Sequence, residues 1–215
     1  MTTSVPMTFE PHQSFFVVFP REGKPNRMAD AQSVNFPKSV PAATLEGAWE
    51  VSFNPTWGGP DRITFNALGD WTKRRQRGIK YYSGIATYRK IFDLPHDSGQ
   101  RIHLDLGTVH DIARVRLNGN DLGVVWCAPW RVEITDVVKK GKNELEIDVA
   151  NRWINRMRGD LEAPDKGVRT VQFKEGYLGG ESYSAGRYTF STKAIGPGPL
   201  LPSGLIGPVS VVVQE

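Results

Sequence analysis

The 215 residues predict an all-β sandwich, and three observations carry that prediction. With 22 glycines and 15 prolines the chain is rich in turns, and its apolar residues are dispersed singly rather than in helical stripes. Short segments of strand character follow one another at sandwich spacing. In "NELEIDV", Leu145, Ile147 and Val149 alternate with Glu144, Glu146 and Asp148, the period of a strand with one buried face.

Taken in order, residues 1–20 end in the strand-like "SFFVVFP". Residues 21–44 carry prolines and little periodicity, so they read as a linker. Residues 45–215 hold the sandwich, with strand candidates "WEVSF", "RITF", "GIATYRKIFDLP", "RIHLDLG", "DIARVRLN", "LGVVW", "WRVEIT", "NELEIDV" and "PVSVVVQ". Between Asn151 and Gly207 the pattern weakens, and so long a stretch inside a compact domain is either functional or disordered. The length allows one large domain with an extra segment as readily as two domains.

Composition excludes several classes. A formal charge of +4, partly gathered in "KRRQRGIK" (residues 73–80), implies no attraction of the whole protein to nucleic acid. That run reads as a solvated loop, with a polyanion or nucleic-acid surface as its alternative. One cysteine, Cys127, rules out an internal disulfide framework, and only four histidines argue against structural zinc. "FFVVF" is too short for a signal peptide or a membrane span, so the chain is expected to be soluble, with no membrane partner.

"VRLNGNDLGVVWCAPWRVEITD" poses the question of what its two tryptophans do. Asn118-Gly119 between alternating runs marks a hairpin. Beyond Pro129, Trp130 is in phase with Val132 and Ile134, which places it in the core. Trp126, at a strand end, suits a sugar-stacking rim or a core equally.

"YYSGIATYRKIFDLP", "LDLGTVHDIARVRLNGNDLGVVWCAPWRVEITD" and "KGKNELEIDVANRW" resemble, in sequence order over roughly residues 45–160, the jelly-roll, galactose-binding-like sugar-binding domain of large glycoside hydrolases. "ANRWINRMRGD" and "LLPSGLIGPV" resemble more narrowly the C-terminal module of family 106 rhamnosidase-type enzymes, in which an "FVVF" strand precedes the linker. The resemblance implies a non-catalytic module, with residues 1–20 as the terminal strand of a preceding domain and the acid/base pair on a separate barrel. It implies two partners: a carbohydrate, such as a plant polysaccharide or pectin-derived glycan, and the catalytic domain of the same polypeptide. It also implies a parent enzyme that is secreted or periplasmic. A free-standing carbohydrate-binding protein is the alternative.

Candidate chemistry is sparse. Glu146 and Asp148, about 6.6 Å apart along a strand, meet the wider spacing of a glycosidase pair, but a wet sheet face lacks the apolar pocket that raises an acid's pKa. No Gly-x-Ser-x-Gly elbow accompanies Glu10, His12, His103, His110 or Asp111, and no cation activates Cys127. No cofactor is expected. "DLEAPD" offers oxygen ligands for a structural calcium without the spacing of a defined motif. The candidate ligand-binding set lies at the rim: Trp126, Asn151, Trp153, Asn155, Arg156 and Asp160. These supply amides, a guanidinium, a carboxylate and flat rings, suited to hydroxyl-rich ligands and equally to a domain interface.

Overall fold

Alternation in the sequence becomes two packed antiparallel sheets in the computed structural model of the chain. The structure describes residues 38–94, 100–162, 182–185, 188–191 and 198–214, with positions 7, 9 and 14–17. Six strands form one sheet in the order β3 (Ile63–Phe65), β2 (Trp49–Ser52), β4 (Ile85–Leu94), β10 (Gly141–Ala150), β7 (Ile112–Leu117) and β8 (Asn120–Val125). Four form the other, in the order β1 (Ser39–Thr44), β14 (Ser210–Gln214), β5 (Ile102–Asp105) and β9 (Arg131–Glu133). Two ribbons, β6 (Thr108–His110) with β13 (Gly204–Gly207) and β11 (Ser182–Ala185) with β12 (Tyr188–Ser191), complete the strands. Helices are short: α1 (Arg77–Lys80) and α2 (Ile154–Glu162).

Strand periodicity decides what is buried. Along β10, Leu145, Ile147 and Val149 turn inward against Val115 and Ala113 of β7, and Tyr88 and Ala86 of β4 lie in the same layer. Facing them, Leu104 and Val211 supply the second wall of one continuous core. Trp71 and Tyr88 are both fully buried, and the indole Nε1 donates to the Tyr88 hydroxyl at 2.6 Å. That hydroxyl also accepts from the Leu205 amide at 3.2 Å, while burial pushes its pKa up to about 12. Gly204 (φ +96°) lets the chain pass Trp71, since a Cβ there would overlap the indole.

The hairpin at Asn118-Gly119 forms as expected, with φ of 52° and 82° joining β7 to β8. Asparagine at 118 has a second role. Its amide donates to Val137 O at 2.8 Å and to Asn143 Oδ1 at 2.9 Å, tying the turn to the neighbouring loop.

Several expectations change. The last six residues of the segment read as linker are β1, paired with β14, because Pro41 obscures the alternation of an edge strand. "KRRQRGIK" is a solvated loop only in part: Lys73, Arg75, Gln76 and Arg77 are exposed, but Lys73 ends a 3-10 turn and Arg77–Lys80 is α1. Arg74 lies 3.7 Å from the Phe65 ring centroid, and Arg77 lies 4.6 Å from that of Tyr81 one helical turn on, so two of its cations stack on rings. Part of the weak stretch after Asn151 is helical, as α2. Ser14–Val17 carry no regular structure, and the rest of "FFVVF" lies outside the described residues.

The phase after Pro129 holds: Val132 and Ile134 are buried, Glu133 is exposed, and Trp130 is half-buried against the core. Trp126 is 71% exposed. Trp130→Ala should therefore lower unfolding free energy by about 2–3 kcal/mol, below the roughly 3–5 of a fully buried ring, and Trp126→Ala should stay within about 0.5 kcal/mol of the parent chain. Urea denaturation of both variants checks this, and equal losses would contradict the burial assignment.

Candidate functional site

The rim is built where β10 ends and α2 begins. Asn151 follows the last residue of β10, and its amide donates to Tyr82 O at 2.9 Å and to Ser203 Oγ at 3.0 Å. Its carbonyl oxygen accepts from the Gly84 amide at 3.0 Å. One turn into α2, buried Asn155 donates to Leu201 O at 2.7 Å and Ser203 Oγ at 2.9 Å, and accepts from the Leu201 amide at 2.8 Å. Each donor and acceptor of these two amides is thus engaged by the chain itself.

Arg156 is nearly buried as well. Its Nη1 donates to Trp57 O at 2.6 Å, and its Nε sits 3.4 Å from Asp160 Oδ2, one helical turn on. The Trp57 and Trp153 rings meet edge to face at 5.3 Å, so Trp153 packs within the rim. Burial raises the Asp160 pKa, against the opposing pull of Arg156 and Arg77. Beside these groups lies a cavity of about 190 Å³ lined by Gly58, Arg77, Tyr81, Arg156, Gly159 and Asp160. The structure therefore brings Asn151, Trp153, Asn155, Arg156 and Asp160 together, as the sequence suggested, but joins them to the scaffold.

Trp126 stands apart from that knot, at the same end of the six-stranded sheet. Ala150 pairs with Ile112, and Ala113 with Val125, so the register carries Trp126 opposite Ile112, two strands from β10 and about 10 Å away. Ile85, on the other side of Ala150, completes the row.

Glu146 and Asp148 both point from the outer face. Arg116 holds both, with 2.7 Å to Asp148 Oδ2; Arg89 donates to Glu146 Oε2 and Thr87 to Asp148 Oδ1, each at 2.7 Å. These contacts hold the pair as charge partners of arginine on an open surface. The neighbouring Arg114 holds the exposed Asp121 carboxyl down to about 2. A groove of about 610 Å³ runs alongside, lined by Glu50, Arg89, Lys90, Ile91, Arg116 and Glu146 among others.

Other candidates separate. Asp111 pairs with Arg152 at 2.9 Å, and His103 on β5 faces Val212 and Glu133. Cys127 is exposed. Glu10, His12 and part of "DLEAPD" lie outside the described residues, among which no cluster of three His, Cys, Asp or Glu side chains could hold a metal. None of the described helices is long and apolar enough to cross a membrane. Sequence reasoning missed Ser203, the hydroxyl shared by Asn151 and Asn155, although "LLPSGLIGPV" contains it.

A family model described as glycosyl hydrolase 2 galactose-binding domain-like matches residues 74–186. A Formosa agariphila protein, by name a beta-glucuronidase, is 37% identical over 186 residues, which take in 82% of this chain and 16% of that protein. The rhamnosidase from Novosphingobium sp. PP1Y superposes with a TM-score of 0.68 at 36% identity, over 87% of this chain and 16% of the enzyme. Ruminococcus gnavus beta-glucuronidase in complex with D-glucuronic acid shares the fold at a TM-score of 0.51 and 16% identity, over 85% of this chain and 30% of that one.

Asp160 yields a test with a defined sign. Burial raises its folded-state pKa above the ordinary 3.8, so its share of stability is fully present below that value and lost as pH rises through the folded one. Asp160→Asn, which mimics the protonated form, should therefore compare more favourably with the parent chain at pH 7 than at pH 3.5. A difference in unfolding free energy that does not change between those two pH values would contradict this assignment.

Proposed function

This chain belongs to the glycosyl hydrolase 2 galactose-binding domain-like family, and from that membership we propose that it is a non-catalytic β-sandwich module supporting the catalytic domain of a rhamnosidase-type glycoside hydrolase. One observation carries the reading. The chain matches two glycosidases by name at 36–37% identity over more than four-fifths of itself, yet spans 16% of the length of each.

The geometry supports it. Glycoside hydrolysis needs one carboxyl that holds its proton and a second carboxylate across the bond. Glu146 and Asp148 are instead shared out among Arg89, Arg116 and Thr87. Asp160, whose pKa burial does raise, has Arg156 beside it rather than another acid. In this reading the hydrolytic pair lies on the remaining part of the parent polypeptide. The parent's substrate is a carbohydrate of the plant polysaccharide or pectin-derived class, which places the enzyme in the periplasm or outside the cell.

Glycan contact by the module itself is a second reading, favoured by the exposed indole of Trp126, since such a ring can stack on a sugar face. Five of the six rim candidates are already engaged within the chain. The polyanion alternative loses ground because Arg74 donates to Ala67 O at 2.9 Å and Arg77 to Gly159 O at 2.7 Å, which leaves fewer cations to meet phosphates.

The pure chain should show no hydrolysis of nitrophenyl rhamnoside or nitrophenyl glucuronide, whereas the full-length polypeptide carrying it should turn over at least one. Turnover by the chain alone, abolished by Glu146→Gln, would overturn the non-catalytic reading.

A further inference from the structure

We infer that the apolar row Ile85–Ala150–Ile112–Trp126, with Val124 beside it, is the surface on which the module docks against an uncharged, apolar patch of the larger part of its own polypeptide. This rests on the reading of the chain as a glycosidase module and names the face that does the supporting. Strand register makes the row: Ile85 pairs with Ala150, Ala150 with Ile112, and Trp126, one step past the last β7–β8 pair of Ala113 with Val125, comes level with Ile112. Their side chains point away from the core. Ile85 is 57% exposed, Ile112 44%, Val124 54% and Trp126 71%, an arrangement four strands wide in which apolar groups meet water with no polar residue between them.

Scattered exposed apolar residues are ordinary, but a contiguous patch marks an interaction site. The row also reaches β8, the edge of the six-stranded sheet, and proteins generally cover or blunt such edges. Charge and size identify the occupant. The charged groups bordering the row are closed on each other, Asp111 with Arg152 at 2.9 Å and Arg114 with Asp121 at 2.7 Å, so no net field recruits a charged partner. Aliphatic groups outnumber the one ring, which suits protein side chains better than a sugar. A free partner or a second copy needs about 800 Å² on each side, more than five side chains in a row supply. A tethered domain meets its site at an effective concentration in the millimolar range, where a small patch suffices. The two glycosidase relatives, of which the chain spans 16%, hold the remaining length for such a domain.

Cys127, next to Trp126, is exposed and is the chain's one cysteine, so its thiol reports on the row. Alkylation by iodoacetamide, read at the Cys127 peptide by mass spectrometry, should be at least tenfold slower in the full-length polypeptide than in this chain alone. Ile112→Ser combined with Val124→Ser should restore fast alkylation in the full-length polypeptide, and the same variant of the isolated chain should unfold at the urea concentration of the parent chain. Equal alkylation rates in the two contexts would overturn the inference. Protection that grows with the concentration of the isolated chain would overturn it in favour of a second copy. Protection of the isolated chain by rhamno-oligosaccharides would overturn it in favour of a glycan platform. A full-length polypeptide that protects Cys127 but hydrolyses no glycoside would refute the glycosidase reading and leave the docking surface standing. Hydrolysis without protection would do the reverse.

Discussion

A single buried hydroxyl, Ser203 Oγ, holds together parts of the chain that are far apart in sequence. It accepts from the amides of Asn151 at 3.0 Å and Asn155 at 2.9 Å and donates to Leu201 O at 3.1 Å. The Ser203 backbone amide in turn reaches Asp70 Oδ1 at 3.1 Å. The end of β10, the start of α2, the turn before α1 and the segment leading into β13 therefore meet at one point. From there Leu205 runs beneath Tyr88, β13 pairs with β6, and β14 takes its place between β1 and β5. Leaving any of these buried groups unsatisfied costs about 1–3 kcal/mol, so the knot is self-enforcing.

That knot explains why residues with the chemistry of a sugar site serve here as scaffold. An amide binds a sugar hydroxyl through an N–H or an oxygen that the chain has not already used. At Asn151 and Asn155 both are taken by backbone and Ser203, and at Arg156 the guanidinium is divided between Trp57 O and Asp160. Other groups remain turned to the surroundings on the outer face of the six-stranded sheet. There arginines and carboxylates neutralise one another in the middle, and apolar side chains line one end.

What could be read from the sequence follows from range. Strand period, visible within ten residues, located β4, β7, β10 and β14 and the hairpin at Asn118. The same local signal missed β6, β13, whose four residues begin and end in glycine, and β1, where Pro41 interrupts it. It also missed α2, although Ile154, Met157 and Leu161 fall at the i, i+3, i+7 spacing of a helical stripe, because only these three apolar residues stand among polar ones. In "KRRQRGIK" the helical turn was missed: Arg77 stacks on Tyr81, four residues on, and Arg74 on Phe65 of β3, contacts that strand period does not show. At the rim, residue types and their grouping were legible but their roles were not. The partners of Asn155 lie 46 and 48 positions away, and the carbonyl that Arg156 Nη1 finds lies 99 positions away. Trp126 remained ambiguous for a related reason, since only strand register shows which way a residue at a strand end faces.

Whether the rim polar groups hold the fold rather than a ligand is measured by a double-mutant cycle on Asn155→Ala and Ser203→Ala. If the two side chains serve one another, the stability losses of the single variants will sum to more than the loss of the double variant. The coupling should be on the order of 1–3 kcal/mol in urea unfolding. Additive losses, with coupling within a few tenths of a kcal/mol, would mean that the two groups work independently, and the account of the rim as a structural knot would fail.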